Sequence, residues 1–80
     1  MSNKSSFGTD QHGTKFVTVK SLMHPLVVIS DGLPVYDIGN EFWLKLDTAI
    51  EWVQKEVVYS DGRPKDIQNL IELLKFREGR

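Results

Sequence analysis

The sequence predicts an α+β fold, a small antiparallel sheet of two to three strands followed by two amphipathic helices. Three observations carry that expectation. Lys15 to Lys20 alternates two sets of β-favouring side chains, and a second apolar run ends at an Asp31-Gly32 turn. From Asn40 the apolar period changes from two residues to about 3.6. After Pro64 another stretch with helical spacing closes the chain.

Met1 to Thr14 is rich in Ser, Gly, Asn, Asp and Gln, with Phe7 as its only large hydrophobe after Met1. Such a composition does not offset its own ordering entropy, so residues 1–14 are expected to form a flexible tail. Residues 15–80 are expected to form a single β-β-(β)-α-α domain. Its first strand is Lys15 to Lys20, where Phe16 and Thr18 alternate with Val17 and Val19. Pro25 biases His24 away from helix, and the continuous run Leu26 to Ile29 reads as a more deeply buried strand.

Ser30 to Pro34 supplies a turn, because Asp-Gly accepts the positive φ that primed hairpin turns require. The return strand is short, Pro34 to Tyr36, and a proline without an N–H places it at a sheet edge. Gly39 then breaks the chain and Asn40 is the expected N-cap of a helix. Phe42, Leu46, Ala49, Ile50, Val53 and Val57 fall on one stripe, with Glu41, Lys45, Thr48, Glu51 and Lys55 on the other side. Thr48 and Glu51 also fit a capping box, which would divide this segment near Asp47. Trp43 and Trp52 flank the stripe and widen the buried face.

Pro64 is suited to the first turn of the last helix, Lys65 to about Arg77. Asp66 complements the positive end of its dipole, Ile67, Leu70, Ile71, Leu74 and Leu73 give its apolar stripe, and Gly79 stops it.

Composition narrows the function classes. Eighty residues give room for one small core. A formal charge of -1 weakens a general affinity for phosphate backbones, so any basic patch must be local. Cysteine is absent, which removes disulfides and thiolate ligands and fits a reducing compartment. With no signal-peptide pattern and no apolar run of membrane-span length, the expected location is cytoplasmic, without a membrane partner.

Enzyme chemistry finds no support in the residues. His12 and His24 have no metal-ligand spacing around them, no glycine-rich phosphate loop follows a strand, and the serines lie away from any base. No cofactor and no small-molecule substrate are therefore expected, and the chain reads as non-enzymatic. The start of the last helix is more suggestive. Arg63, Lys65, Gln68 and Asn69 can meet phosphates and base edges, with Lys15 and Lys20 adding phosphate contacts.

The run Asp31-Gly32-Leu33-Pro34-Val35-Tyr36, followed by Asn40 and Phe42-Trp43-Leu44, resembles the head of the N-terminal DNA-binding (SAM-like) region of phage-type tyrosine recombinases, the integrases. Gly62-Arg63-Pro64-Lys65-Asp66-Ile67 echoes that family's later helix start, with Pro64 and Asp66 standing where the family has Ser and Thr. The resemblance covers roughly Leu26 to Phe76 and omits the catalytic domain, so neither Tyr36 nor Tyr59 is assigned as a nucleophile. It implies a DNA-binding module. The rival is a small phage- or mobile-element-encoded protein-interaction factor, a modulator or inhibitor of a host protein, using Trp43, Trp52 and Tyr36 as its contact surface.

Overall fold

The computed structural model of the protein describes residues 7–22, 28 and 30–79. The chain is α+β, and its sheet has four strands rather than two to three: β1 (Phe7–Thr9), β2 (Lys15–Thr18), β3 (Tyr36–Ile38) and β4 (Glu41–Lys45). They are followed by two helices, α1 (Leu46–Tyr59) and α2 (Pro64–Arg77). The chain divides into two compact units, residues 1–45 and 46–80.

In the first unit the strands lie in the order β1-β2-β4-β3, and every neighbouring pair is antiparallel. Phe7 opposes Val17 and Val17 opposes Leu44, while Gly8 opposes Phe16 and Phe16 opposes Lys45. Directly opposed residues share a face. One face therefore carries Phe7, Val17 and Leu44, of which Val17 and Leu44 are fully buried. The other carries Gly8, Phe16, Lys45, Trp43 and Tyr36.

Part of the expected tail is a strand. Phe7–Thr9 pairs with β2 across a loop organised by Asp10, whose Oδ1 accepts the N–H groups of His12 at 2.9 Å and Thr14 at 2.8 Å. Pairing with an existing strand supplies the hydrogen bonds and contacts that the segment lacks by itself. The strand expected over Lys15 to Lys20 ends at Thr18, and a 3-10 turn, Val19–Ser21, follows it.

The predicted second strand, Leu26 to Ile29, is corrected at Val28. That residue is fully buried as expected but is helical, as is Ser30, while Leu26, Val27 and Ile29 lie outside the described residues. A short apolar run without alternation fits a buried helical segment as well as a strand. Asp31-Gly32 is accordingly a turn after helical backbone rather than a hairpin tip, and the return strand starts at Tyr36, not Pro34. Its position at a sheet edge agrees with the expectation.

The hairpin lies eight residues further on. Gly39 and Asn40 have φ of +58° and +68°, and Ile38 opposes Glu41 across them. Positive φ at both central residues of a two-residue loop is the signature of a type I′ turn, whose twist matches that of the strands it joins. Asn40 is thus a turn residue and not an N-cap, and Glu41–Lys45 is strand and not helix. The misreading has a simple cause. Phe42 and Leu46 are four apart, a spacing that keeps two residues on one face at either period.

In the second unit α1 begins at Leu46, two residues before the alternative cap at Thr48, and runs unbroken to Tyr59. Leu46, Ala49, Ile50, Trp52 and Val53 form its buried side. Its end is closed by hydrogen bonds from Gly62 N–H to the Val57 carbonyl at 2.8 Å and from Asp61 N–H to that of Val58 at 3.2 Å. With Asp61 at φ +59°, this is a Schellman closure.

Helix α2 packs against α1 and stops at Gly79 as expected. Its buried side differs from the predicted stripe. Asp66 and Leu73 are buried, whereas Ile67 and Ile71 are both 41% exposed. The buried side is thus centred on Asp66 and Leu73, with Leu70 and Leu74 of the predicted stripe half-buried.

Candidate aromatic sheet face

Face and register decide which side chains the sheet brings together. Tyr36 opposes Trp43, and Phe16, one strand over, meets Tyr36 edge to face with ring centroids 5.6 Å apart. Electrostatics favours this T-shaped geometry, in which a ring edge meets a ring face. The Lys45 ammonium stands 6.0 Å from the centroid of the Tyr36 ring, at the outer limit of a cation–π contact. Tyr36 and Ile38 are exposed, and Phe16 and Trp43 are half-buried.

Trp43 is fixed at both ends. Its indole N–H donates to the Ile38 carbonyl at 3.3 Å. Its six-membered ring lies over Gly8, where a Cβ would come within 3.3 Å of two ring carbons. Glycine at this position lets the indole lie close to the backbone of β1.

A groove of about 180 Å³ results, lined by Gly8, Thr9, Asp10, Phe16, Ile38 and Trp43. Residues of both edge strands line it. Its wall is almost wholly apolar, and Asp10 is the ionisable residue among those that line it. Lys20, in the turn after β2, forms an ion pair of 3.0 Å with Glu41 at the start of β4.

The residues expected to contact DNA are placed as follows. Arg63 is the N-cap residue of α2, and its Nε–H donates to Asp66 Oδ2 at 2.9 Å while its terminal nitrogen lies 3.9 Å from Glu56. Asp66 also accepts from Ser60 Oγ at 2.8 Å. Lys65 is exposed, Gln68 is exposed and donates to Glu72 at 3.1 Å, and Asn69 is half-buried. Lys65, Gln68 and Asn69 share one side of α2, being three and four residues apart. Lys15 and Lys20 belong to the first unit, with Lys15 on the sheet face opposite Phe16.

Of the residues expected at a protein interface, Tyr36 and Trp43 form a cross-strand pair, and Trp52 is buried in the second unit. Gly8, Phe16, Ile38 and Lys45 complete the face and had not been singled out. The signal for them lay in the Gly39-Asn40 turn, which assigns Phe42 to Lys45 to a strand and so reveals the faces. Exposed apolar side chains also occur in the second unit, at Val58, Tyr59, Ile67 and Ile71.

Among the described residues, no group of three or more His, Cys, Asp or Glu is arranged to hold a metal ion, and no helix is long and apolar enough to cross a membrane. His12 is exposed, and His24 lies outside the described residues. Comparisons with protein-family models, with curated proteins and with solved structures give no match for the chain.

Proposed function

We propose that this chain is a small non-enzymatic protein-interaction module, acting in the cytoplasm, that receives its partner on the aromatic face of its sheet. One observation carries the reading: Phe16, Tyr36 and Trp43 share one side of an antiparallel sheet, where Phe16 and Trp43 line a mainly apolar groove together with residues of both edge strands. Aromatic side chains held in place by the fold bury much apolar area at little entropic cost, which is why they dominate interface energetics.

The DNA-contact reading, which the sequence placed first, draws less support from the geometry. Arg63 is engaged by Asp66 and Glu56, Gln68 by Glu72, and Lys20 by Glu41. Cations already paired with carboxylates release fewer counterions on meeting phosphate. Lys65 is the member of that set whose exposure favours it.

The test is a selection from a random peptide library on the immobilised protein, with the enriched peptides then measured in solution. Tyr36→Ala and Ile38→Ser, both at exposed edge positions, should weaken them by about tenfold or more, equivalent to about 1.4 kcal/mol. Peptides that bind both variants as tightly as the unaltered protein would overturn the proposal. So would duplex DNA binding that Arg63→Ala and Lys65→Ala abolish while the sheet variants retain it.

A further inference from the structure

Building on the reading of this face as a protein-docking surface, we propose that its occupant is an extended, proline-containing segment of a partner protein with a basic residue at the end that meets Asp10. The course of the groove is the first reason. The register sets Thr9 opposite Lys15 at one end of the sheet and Ile38 opposite Glu41 at the other, on the two outer strands. The residues that line the groove step from Thr9, Asp10 and Gly8 through Phe16 and Trp43 to Ile38, diagonally across the strands.

A segment lying along that diagonal cannot extend the sheet, because ladder hydrogen bonds require strands side by side. It must bind by its side chains. Polyproline II suits this, since it has no internal hydrogen bonds to break and its backbone stays solvated on the outer side.

The scarcity of polar partners is the second reason. The groove wall is carbon over most of its area, the Trp43 N–H is engaged by Ile38, and Asp10 Oδ1 holds two N–H groups of its own loop. An ordinary peptide set on these rings would bury N–H groups without acceptors. Proline has no N–H to leave unsatisfied, and its ring packs flat on aromatic faces.

Charge complementarity fixes the direction and weighs against a nucleic-acid strand stacked on the same rings. Asp10 is the ionisable residue that lines the groove, and the far end near Ile38 meets the Lys20–Glu41 ion pair, whose charges cancel. A basic residue is favoured at the Asp10 end. A phosphate backbone would meet that carboxylate, with Lys45 as its principal cation on this face among the described residues.

The experiment follows the fluorescence of Trp43 in the full chain carrying Trp52→Phe, titrated with a synthetic peptide that has two adjacent prolines and one flanking arginine. Saturable binding is expected, weakened about tenfold or more when alanines replace the prolines, equivalent to about 1.4 kcal/mol. Replacing the arginine with glutamate should weaken it further at low salt than at high salt. Asp10→Asn keeps the Oδ1 acceptor of the loop while removing the charge, and should abolish the preference for arginine over glutamate. Equal affinity for the alanine peptide, or an arginine preference that survives Asp10→Asn, would overturn the inference. If library-selected peptides without proline bind through Tyr36, the inference falls and the proposed function stands. If only oligothymidine perturbs Trp43, both fall.

Discussion

Replacing Asp66 with alanine should destabilise the protein by about 2–3 kcal/mol, although the position sits at the start of a helix where an exposed acid is ordinary. Asp66 is 1% exposed, and its Oδ2 accepts from Ser60 Oγ at 2.8 Å and from Arg63 Nε at 2.9 Å. The Ser60 hydroxyl has one proton, and at 2.8 Å it goes to Asp66 rather than to the Val57 carbonyl at 3.4 Å.

Hydrogen bonds to a charged group contribute about 1.5–3 kcal/mol each, and a first-turn carboxylate adds about 0.3–1 kcal/mol through the helix dipole. The Arg63 side chain is 38% exposed and keeps Glu56 nearby, so much of its loss is recovered from water, and the sum is discounted accordingly. Asp66→Asn retains an acceptor for Ser60 and should lose about half as much.

Urea unfolding followed by circular dichroism gives the value directly. At about 4–8 °C per kcal/mol for a chain of this size, the melting temperature of Asp66→Ala should fall by about 10–20 °C. A double-mutant cycle with Ser60→Ala should show coupling above about 0.5 kcal/mol. Asp66→Ala within about 0.5 kcal/mol of the parent would refute the assignment of this carboxylate as the tie between the end of α1 and the start of α2.

Other expectations are open to direct measurement. Acrylamide quenching should resolve one accessible and one protected indole, and Trp43→Phe should remove the accessible component, because Trp52 is only 6% exposed. Asn40→Val should destabilise by about 1–2 kcal/mol, since a β-branched residue must hold the φ of +68° that the hairpin turn demands. Exchanging the turn order by Gly39→Asn with Asn40→Gly should be tolerated in the same denaturation assay, because Asn-Gly is the favoured pair for this turn. Glu41→Gln should cost less than about 1 kcal/mol, as the Lys20 pair is largely solvent-exposed, and the small difference should shrink further in high salt.

The parts of the fold that could be read from sequence are those with one dominant local signal. The second helix was legible from Pro64 to Gly79 because proline at the start and glycine at the end agree with the apolar spacing between them. The strand at Lys15 was legible from its alternation of β-favouring residues. The Gly39-Asn40 hairpin was missed because Asn is both a good helix cap and a good positive-φ turn residue, and the residues after it satisfied the helical stripe by coincidence of spacing.

Phe7–Thr9 was missed for another reason. A three-residue strand has no intrinsic signal, and its order comes from Val17 and Phe16 across the ladder. The candidate face was half legible. Tyr36 and Trp43 stood out as aromatic residues, but that they share a face with Phe16 and Gly8 follows only from register. Arg63 was visible as a cation and not as a partner of a buried acid, since the reach of Ser60 and Arg63 toward Asp66 depends on the geometry of the connecting turn.

The most direct test of the aromatic face as the working surface is a backbone amide shift map of the isotopically labelled protein, titrated separately with a library-selected peptide and with duplex DNA. The peptide should move the amides of Gly8, Phe16, Tyr36, Ile38, Trp43 and Lys45 in a saturable manner and leave Lys65, Gln68 and Asn69 unmoved. Saturable shifts at Arg63, Lys65, Gln68 and Asn69 with DNA, and none on the sheet with peptide, would contradict the account.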